Sequence, residues 1–83
     1  MYNKQTYEQI IEFIQQHREI EFEYENKQYA FLAVKDGFVL VCDNKTQGPV
    51  FVDYEEMVKE SRINGHTFLD LFKSEELTIT AVL

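Results

Sequence analysis

The sequence is short of almost every residue type that marks a specialised chemistry. It has one cysteine, one proline, three glycines, two histidines and no tryptophan. A lone cysteine, Cys42, excludes an internal disulfide and leaves no Cys-x-x-Cys pair for zinc. It lies in an apolar stretch beside acids, a setting that raises a thiol, so it is read as a small core residue rather than a nucleophile. Three glycines leave neither a phosphate-cradling loop nor a Gly-x-Ser-x-Gly elbow. His17 and His66 are far apart, and no residue three or four positions on from either completes a recognised metal pattern; Glu21 and Glu23, near His17, belong to a strand that points them along a different face. They are read as a helix-end residue and a loop residue, with no metal and no cofactor.

Positive charge is scarce as well. Eight Lys and Arg stand against fifteen Asp and Glu, a net charge of −7. Lys4, Arg18, Lys27, Lys35, Lys45, Lys59, Arg62 and Lys73 are scattered and form no basic stripe. An acidic chain of this kind repels phosphates and anionic lipid, so no direct nucleic-acid binding and no membrane association are expected. No apolar run approaches the ~20 residues of a membrane helix. The first residues lack the apolar core of a signal peptide, and the expected location is the cytoplasm. Asn44-Lys45-Thr46 matches a glycosylation acceptor, which has no meaning in that compartment.

What is present is a core. Apolar residues make up 45% of the 83, with seven Phe and five Tyr. That suffices for one small globular domain spanning residues 1–83, with a thin stability margin that makes a homodimer a live form. The organising stretch is Glu19-Ile20-Glu21-Phe22-Glu23-Tyr24-Glu25. Its strict alternation predicts a half-buried strand over 19–25, with Ile20, Phe22 and Tyr24 inward and four carboxylates outward.

A helix over 6–17 precedes it. Tyr7, Ile10, Ile11 and Ile14 make the apolar stripe, Thr6 and Gln9 a capping box, and His17 and Arg18 a cationic end. A second strand is expected over 28–35, central because it is apolar almost throughout. A third covers 38–42. With Asn26-Lys27 and Asp36-Gly37 as two-residue loops, Phe22 faces Phe31, Ile20 faces Ala33, Leu32 faces Val41 and Val34 faces Val39. One face then holds Ile20, Phe22, Tyr24, Tyr29, Phe31, Ala33, Phe38, Leu40 and Cys42. The other holds the Glu row with Ala30, Leu32, Val34, Val39 and Val41.

Residues 43–49 read as a polar loop, and 50–52 as a short extended piece. Asp53, with Glu56 in a capping box, starts a helix that runs to about Ser61 and is ended by Asn64-Gly65. Residues 67–72 suggest further helical turns, and 77–83 a last strand. The fold class expected is α+β: a helix, a three-stranded antiparallel meander, one or two short helices and a C-terminal strand. The later segment, Phe51-Val52-Asp53-Tyr54-Glu55-Glu56 followed by Ile63 through Phe72, resembles the tails of small uncharacterised acidic proteins of bacteria and their phages. The resemblance implies no activity; it implies an accessory or mobile-element protein.

Three functional readings follow. In the first, the chain is a non-enzymatic adaptor or regulatory protein. Leu32, Val34, Val39 and Val41 form an apolar centre, and Glu19, Glu21, Glu23 and Glu25 an acidic rim, for a basic protein partner or a second copy. In the alternative, the four glutamates, ~6.6–6.8 Å apart along a strand, imitate a phosphate track. Asp53, Glu55, Glu56 and Glu60 would extend it, making a DNA-mimic inhibitor of a nucleic-acid-binding enzyme. The third, a small enzyme or ligand carrier, requires a concave polar pocket. The bland reading of the Glu row is a solvated face that protects an edge strand.

Overall fold

The computed structural model describes residues 5–83. The reading of the first residues, Met1 to Lys4, lies outside them. Among the described residues the order is α1 (Tyr7–Gln15), β1 (Ile20–Tyr24), β2 (Lys27–Val34), β3 (Gly37–Cys42), β4 (Lys45–Thr46), α2 (Tyr54–Glu60), α3 (Phe68–Lys73) and β5 (Thr78–Val82). The strands form one antiparallel sheet in the order β4-β3-β2-β1-β5. The α+β expectation holds, with β2 central.

α1 begins as its sequence dictates. Thr6 Oγ1 accepts from the Gln9 amide at 3.1 Å, and Gln9 Oε1 accepts from the Thr6 amide at 2.9 Å. Its end differs from the expected cationic cap. His17 takes a left-handed conformation, φ 65°, and the amides of His17 and Arg18 donate to the carbonyls of Ile14 and Phe13. That is a Schellman closure, which satisfies carbonyls the helix leaves open. The Arg18 guanidinium lies over the Phe13 ring, and the His17 ring meets Phe38 edge-on at 5.3 Å.

Both meander loops sit one residue earlier than expected. The first is Glu25-Asn26, with φ of 50° and 65°, so Tyr24 opposes Lys27 and Phe22 opposes Tyr29. Two positive φ values make a type I′ turn, and Asn tolerates that conformation better than the Lys27 the expected loop would have placed there. The second loop is Lys35-Asp36, so Leu32 opposes Val39 and Phe31 opposes Leu40. Gly37 is not a loop residue. A Cβ there would lie 2.0 Å from the Phe51 carbonyl oxygen. Glycine at 37 therefore admits the Phe51 backbone, which exchanges two hydrogen bonds with Phe38 at 2.7 and 2.8 Å. Each register moves by two residues, which preserves the face of every side chain.

The face assignment is accordingly as expected. Ile20, Phe22, Tyr24, Tyr29, Phe31, Phe38 and Leu40 lie in the core, with Ala33 and Cys42 packed against it. The helices contribute Ile10, Ile14, Met57, Val58, Phe68 and Leu71 to that same cluster, so all three cover one side of the sheet. Phe68, fully buried, meets Phe22 at 5.3 Å and Phe31 at 5.0 Å, both edge-on. Such pairs add about 0.5–1.5 kcal/mol each beyond area burial.

Other expectations are corrected. Asp43-Asn44, φ 49° and 69°, is a third tight turn and pairs β4 with β3 inside the expected loop. Asp53 caps α2 through the Glu55 amide at 2.9 Å, without a reciprocal bond from Glu56. α2 stops at Ser61, which is already extended. Asn64-Gly65 instead makes the turn between Ile63 and His66, whose amides and carbonyls pair at 2.8 and 3.1 Å. β1 is no edge strand: β5 pairs with its second side, with Thr80 as the extra residue of a bulge.

Two substitutions test this packing. Gly37→Ala forces the Phe51 backbone away and should cost about 2–4 kcal/mol in urea unfolding, whereas the exposed Asp36→Ala should change stability by less than ~0.5 kcal/mol. Equal effects at the two positions would contradict the close approach. Phe68→Ala removes the ring that ties α3 to β1 and β2, with an expected loss of about 3–5 kcal/mol.

Candidate functional site

Side chains alternate along a strand, so an inward row on one face implies an outward row on the other. Continuing the β1–β2 register one step places Glu19 beside Leu32. Glu21 opposes Ala30, and Ala30 opposes Val41. Glu23 opposes Gln28. The Gln28 side chain donates through Nε2 to Thr80 Oγ1 at 3.0 Å, reaching across β1 on the outer face. That face is therefore polar at the Gln28 end and apolar at the Leu32 end.

Three of the four glutamates stay in line. Glu25 does not: it lies in the type I′ turn, and its carboxylate accepts from Asn64 Nδ2 at 3.3 Å. A residue that must adopt φ 50° cannot continue the pleat, so the row ends at Glu23. The acids of α2 do not extend it either. Met57 and Val58 bury that helix on the other side of the sheet.

Glu19 and Glu21 project from the same outward side at the start of β1. The neutral Glu19 carboxyl donates to Glu21, and this bond first, then burial and the Glu21 charge, holds Glu19 above its ordinary value.

The apolar residues differ in exposure. Val39 is 2% exposed and Ala30 7%, while Leu32 and Val41 are half-buried and Val34 is 40% exposed. A shallow groove of about 390 Å³ runs over Ala30 and Leu32 between Glu19 and Glu21 on one bank and Val41 and Asp43 on the other. The structure thus brings Leu32, Val34, Val41, Glu19, Glu21 and Glu23 onto one surface, whereas Val39, on the same side of the sheet, is buried beneath its neighbours and is not open to a partner.

The sequence reading missed part of that surface. Phe51 packs against the core and bridges Phe38, which puts its neighbours on the outer side. One step either side of the bridge, Val50 opposes Val39 and Val52 opposes Gly37. Val50 is 48% exposed and Val52 85%. The signal was present as alternation in Val50-Phe51-Val52, but its partner strand is not readable locally.

The helix side carries concavities too. One of about 720 Å³ lies between α1, α3 and β5 and mixes Glu8, Lys73 and Glu75 with Tyr7, Phe72 and Leu77. A smaller one of about 280 Å³ separates α1 from α2. Tyr7 borders both, its phenol held above its ordinary value by burial, then by Glu8 and Glu55. The lack of any polar concavity, which would set a ligand carrier aside, is not met. Tyr29, buried beside Cys42, is pushed up to about 12 by that burial, then by Cys42, Tyr24 and Asp43. Cys42 opposes Tyr29 across the strands on the core side.

Among the described residues, no group of three or more His, Cys, Asp and Glu is placed to hold a metal ion. No helix among them is long and apolar enough to cross a membrane. No family model, no curated protein and no solved structure matches the chain.

The carboxyl pair has a measurable consequence. Because Glu19 is raised in the folded chain, its contribution to stability is complete below 4.5, its ordinary value, and is lost as pH rises through the folded value. Glu19→Gln keeps a donor for Glu21 and never ionises. It should raise the melting temperature at neutral pH and leave it unchanged below about pH 4. The same gain at both pH values would show that the two carboxyls do not interact.

Proposed function

We propose that this chain is a non-enzymatic interaction protein that docks another protein on the outer face of its sheet. The observation that carries the reading is one-sided packing. All three described helices bury their apolar residues on the inner face, and the outer face keeps Leu32, Val34 and Val41 partly open to water. An apolar centre beside a charged margin is the anatomy of a protein interface. The margin is acidic, with Glu19, Glu21 and Glu23 along β1 and Asp43 at the end of β3, so it favours a basic partner and speeds encounter with one.

The phosphate-track alternative has less to stand on. It needs a continued row of charges, whereas Glu25 turns away to Asn64 and the acids of α2 lie on the other side of the sheet. An accessory role in a mobile element agrees with either reading and is carried by neither.

The test places charge in the centre of the face. The variant Leu32→Lys with Val41→Lys, confirmed as folded by circular dichroism, should lose at least about tenfold in affinity for whatever protein the wild-type chain retains from its native extract. Undiminished capture by the folded variant would remove the outer face from consideration. Capture that Glu19, Glu21 and Glu23 changed together to Gln abolishes, and that DNA competes away, would favour the inhibitor reading instead.

A further inference from the structure

We infer that the anchor of the docking face is its valine corner, Val34, Val50 and Val52 around Val39, and that its occupant is a short cationic segment of a different protein. The inference rests on the reading of the outer face as the docking face. Four large aliphatic side chains among the described residues are exposed, and three of them are these valines. Single exposed aliphatics are ordinary; their convergence at one corner is not.

The register explains how they converge. Leu32 opposes Val39 and Val34 opposes Gly37, and extending the Phe38–Phe51 bridge by one residue each way sets Val50 towards Val39 and Val52 towards Gly37. Gly37 contributes no side chain, and the Val52 Cα lies 3.2 Å from where its Cβ would be. Val34 and Val52 thus flank bare backbone. Val39 is shut from water by its neighbours, so the corner is a firm floor rather than a loose flap.

Charge selects the occupant. Glu19 stands beside Leu32, Asp36 precedes Gly37 and Asp53 follows Val52; Asp36 and Asp53 are exposed, with Lys35 the one base in these turns. A second copy, also carrying −7, would bring the same acids against these. Like charges set against one another at an interface are costly, and opposite ones are favoured. A segment with an aliphatic or aromatic anchor between Lys or Arg residues fits both the floor and its margin. A few side chains make a small footprint, which suits a short segment rather than a whole domain.

The experiment uses the full chain and a synthetic peptide with Ile-Phe-Leu at its centre and a Lys-Arg pair on each side. Its control has the bases replaced by Glu. Fluorescence anisotropy should give a Kd of about 10–100 µM for the cationic peptide and no saturable binding for the acidic one. Val34→Ser with Val52→Ser, both positions exposed and so tolerant, should weaken binding about tenfold. Glu55→Gln with Glu56→Gln, on the opposite side of the sheet, should not. Binding that survives the valine changes but is lost in Leu32→Lys with Val41→Lys would overturn the corner while sparing the face. Binding indifferent to both sets would overturn both. A dimer of the wild-type chain in sedimentation, dissolved by Val34→Ser with Val52→Ser, would make a second copy the occupant and overturn the cationic partner.

Discussion

Everything in this fold is conditioned by the two-sidedness of β1. Ile20 and Phe22 are fully buried and Tyr24 is 5% exposed. Burying such side chains is worth roughly 1.5–3 kcal/mol each, so the inward face is not negotiable. The outward face then carries Glu19, Glu21 and Glu23, and a helix laid over them would strip carboxylates of water at a cost of several kcal/mol apiece. That asymmetry sends α1, α2 and α3 to the same side. It also leaves the aliphatic outer residues of β2 and β3 without a helix above them. The open face is thus a consequence of the charge on a neighbouring strand.

β1 joins the two halves of the chain. β2 lies on one side of it, through a turn of two residues, and β5 on the other, from the far end of the sequence. The Leu83 amide donates to the Glu19 carbonyl at 2.8 Å, extending that pairing past the strand. Phe68 repeats the join above the sheet by meeting Phe22 and Phe31. A long-range pairing of this kind has a high closure cost, and the aromatic contact above it offsets part of that cost.

The parity of the strands was legible because a two-residue period survives errors of two residues. Both hairpin registers are displaced by that amount, yet Phe22, Phe31 and Leu40 are buried and Leu32 and Val41 face out. Turn chemistry was less legible. Three turns are built on left-handed pairs, Glu25-Asn26, Asp43-Asn44 and Asn64-Gly65, each containing an asparagine. Asparagine, then, was the marker to follow. The Asp36-Gly37 dipeptide misled because its glycine answers a distant demand, the approach of the Phe51 backbone. The pairing of β5 with β1, and the placement of Val50 and Val52 through that same approach, depend on contacts remote in sequence, which no local pattern encodes.

The corner carries apolar side chains that the fold does not need. Phe51 must face inward, because it packs against the core beside Phe38. Strand propensity gives a reason for valine at 34, inside β2, and a weaker one at 50, next to the bridge. It gives none at 52, which is a bend and 85% exposed. A polar residue there would lose almost no burial and would lessen the tendency to associate. Asp53, the next residue, shows that the segment accepts polar side chains where the helix cap requires one. Valine at 52, 85% exposed, contributes little to packing and adds to the apolar surface that Val34 and Val50 also expose. A surface widened in that way, and bordered by acids rather than bases, matches a partner that carries the complementary charge.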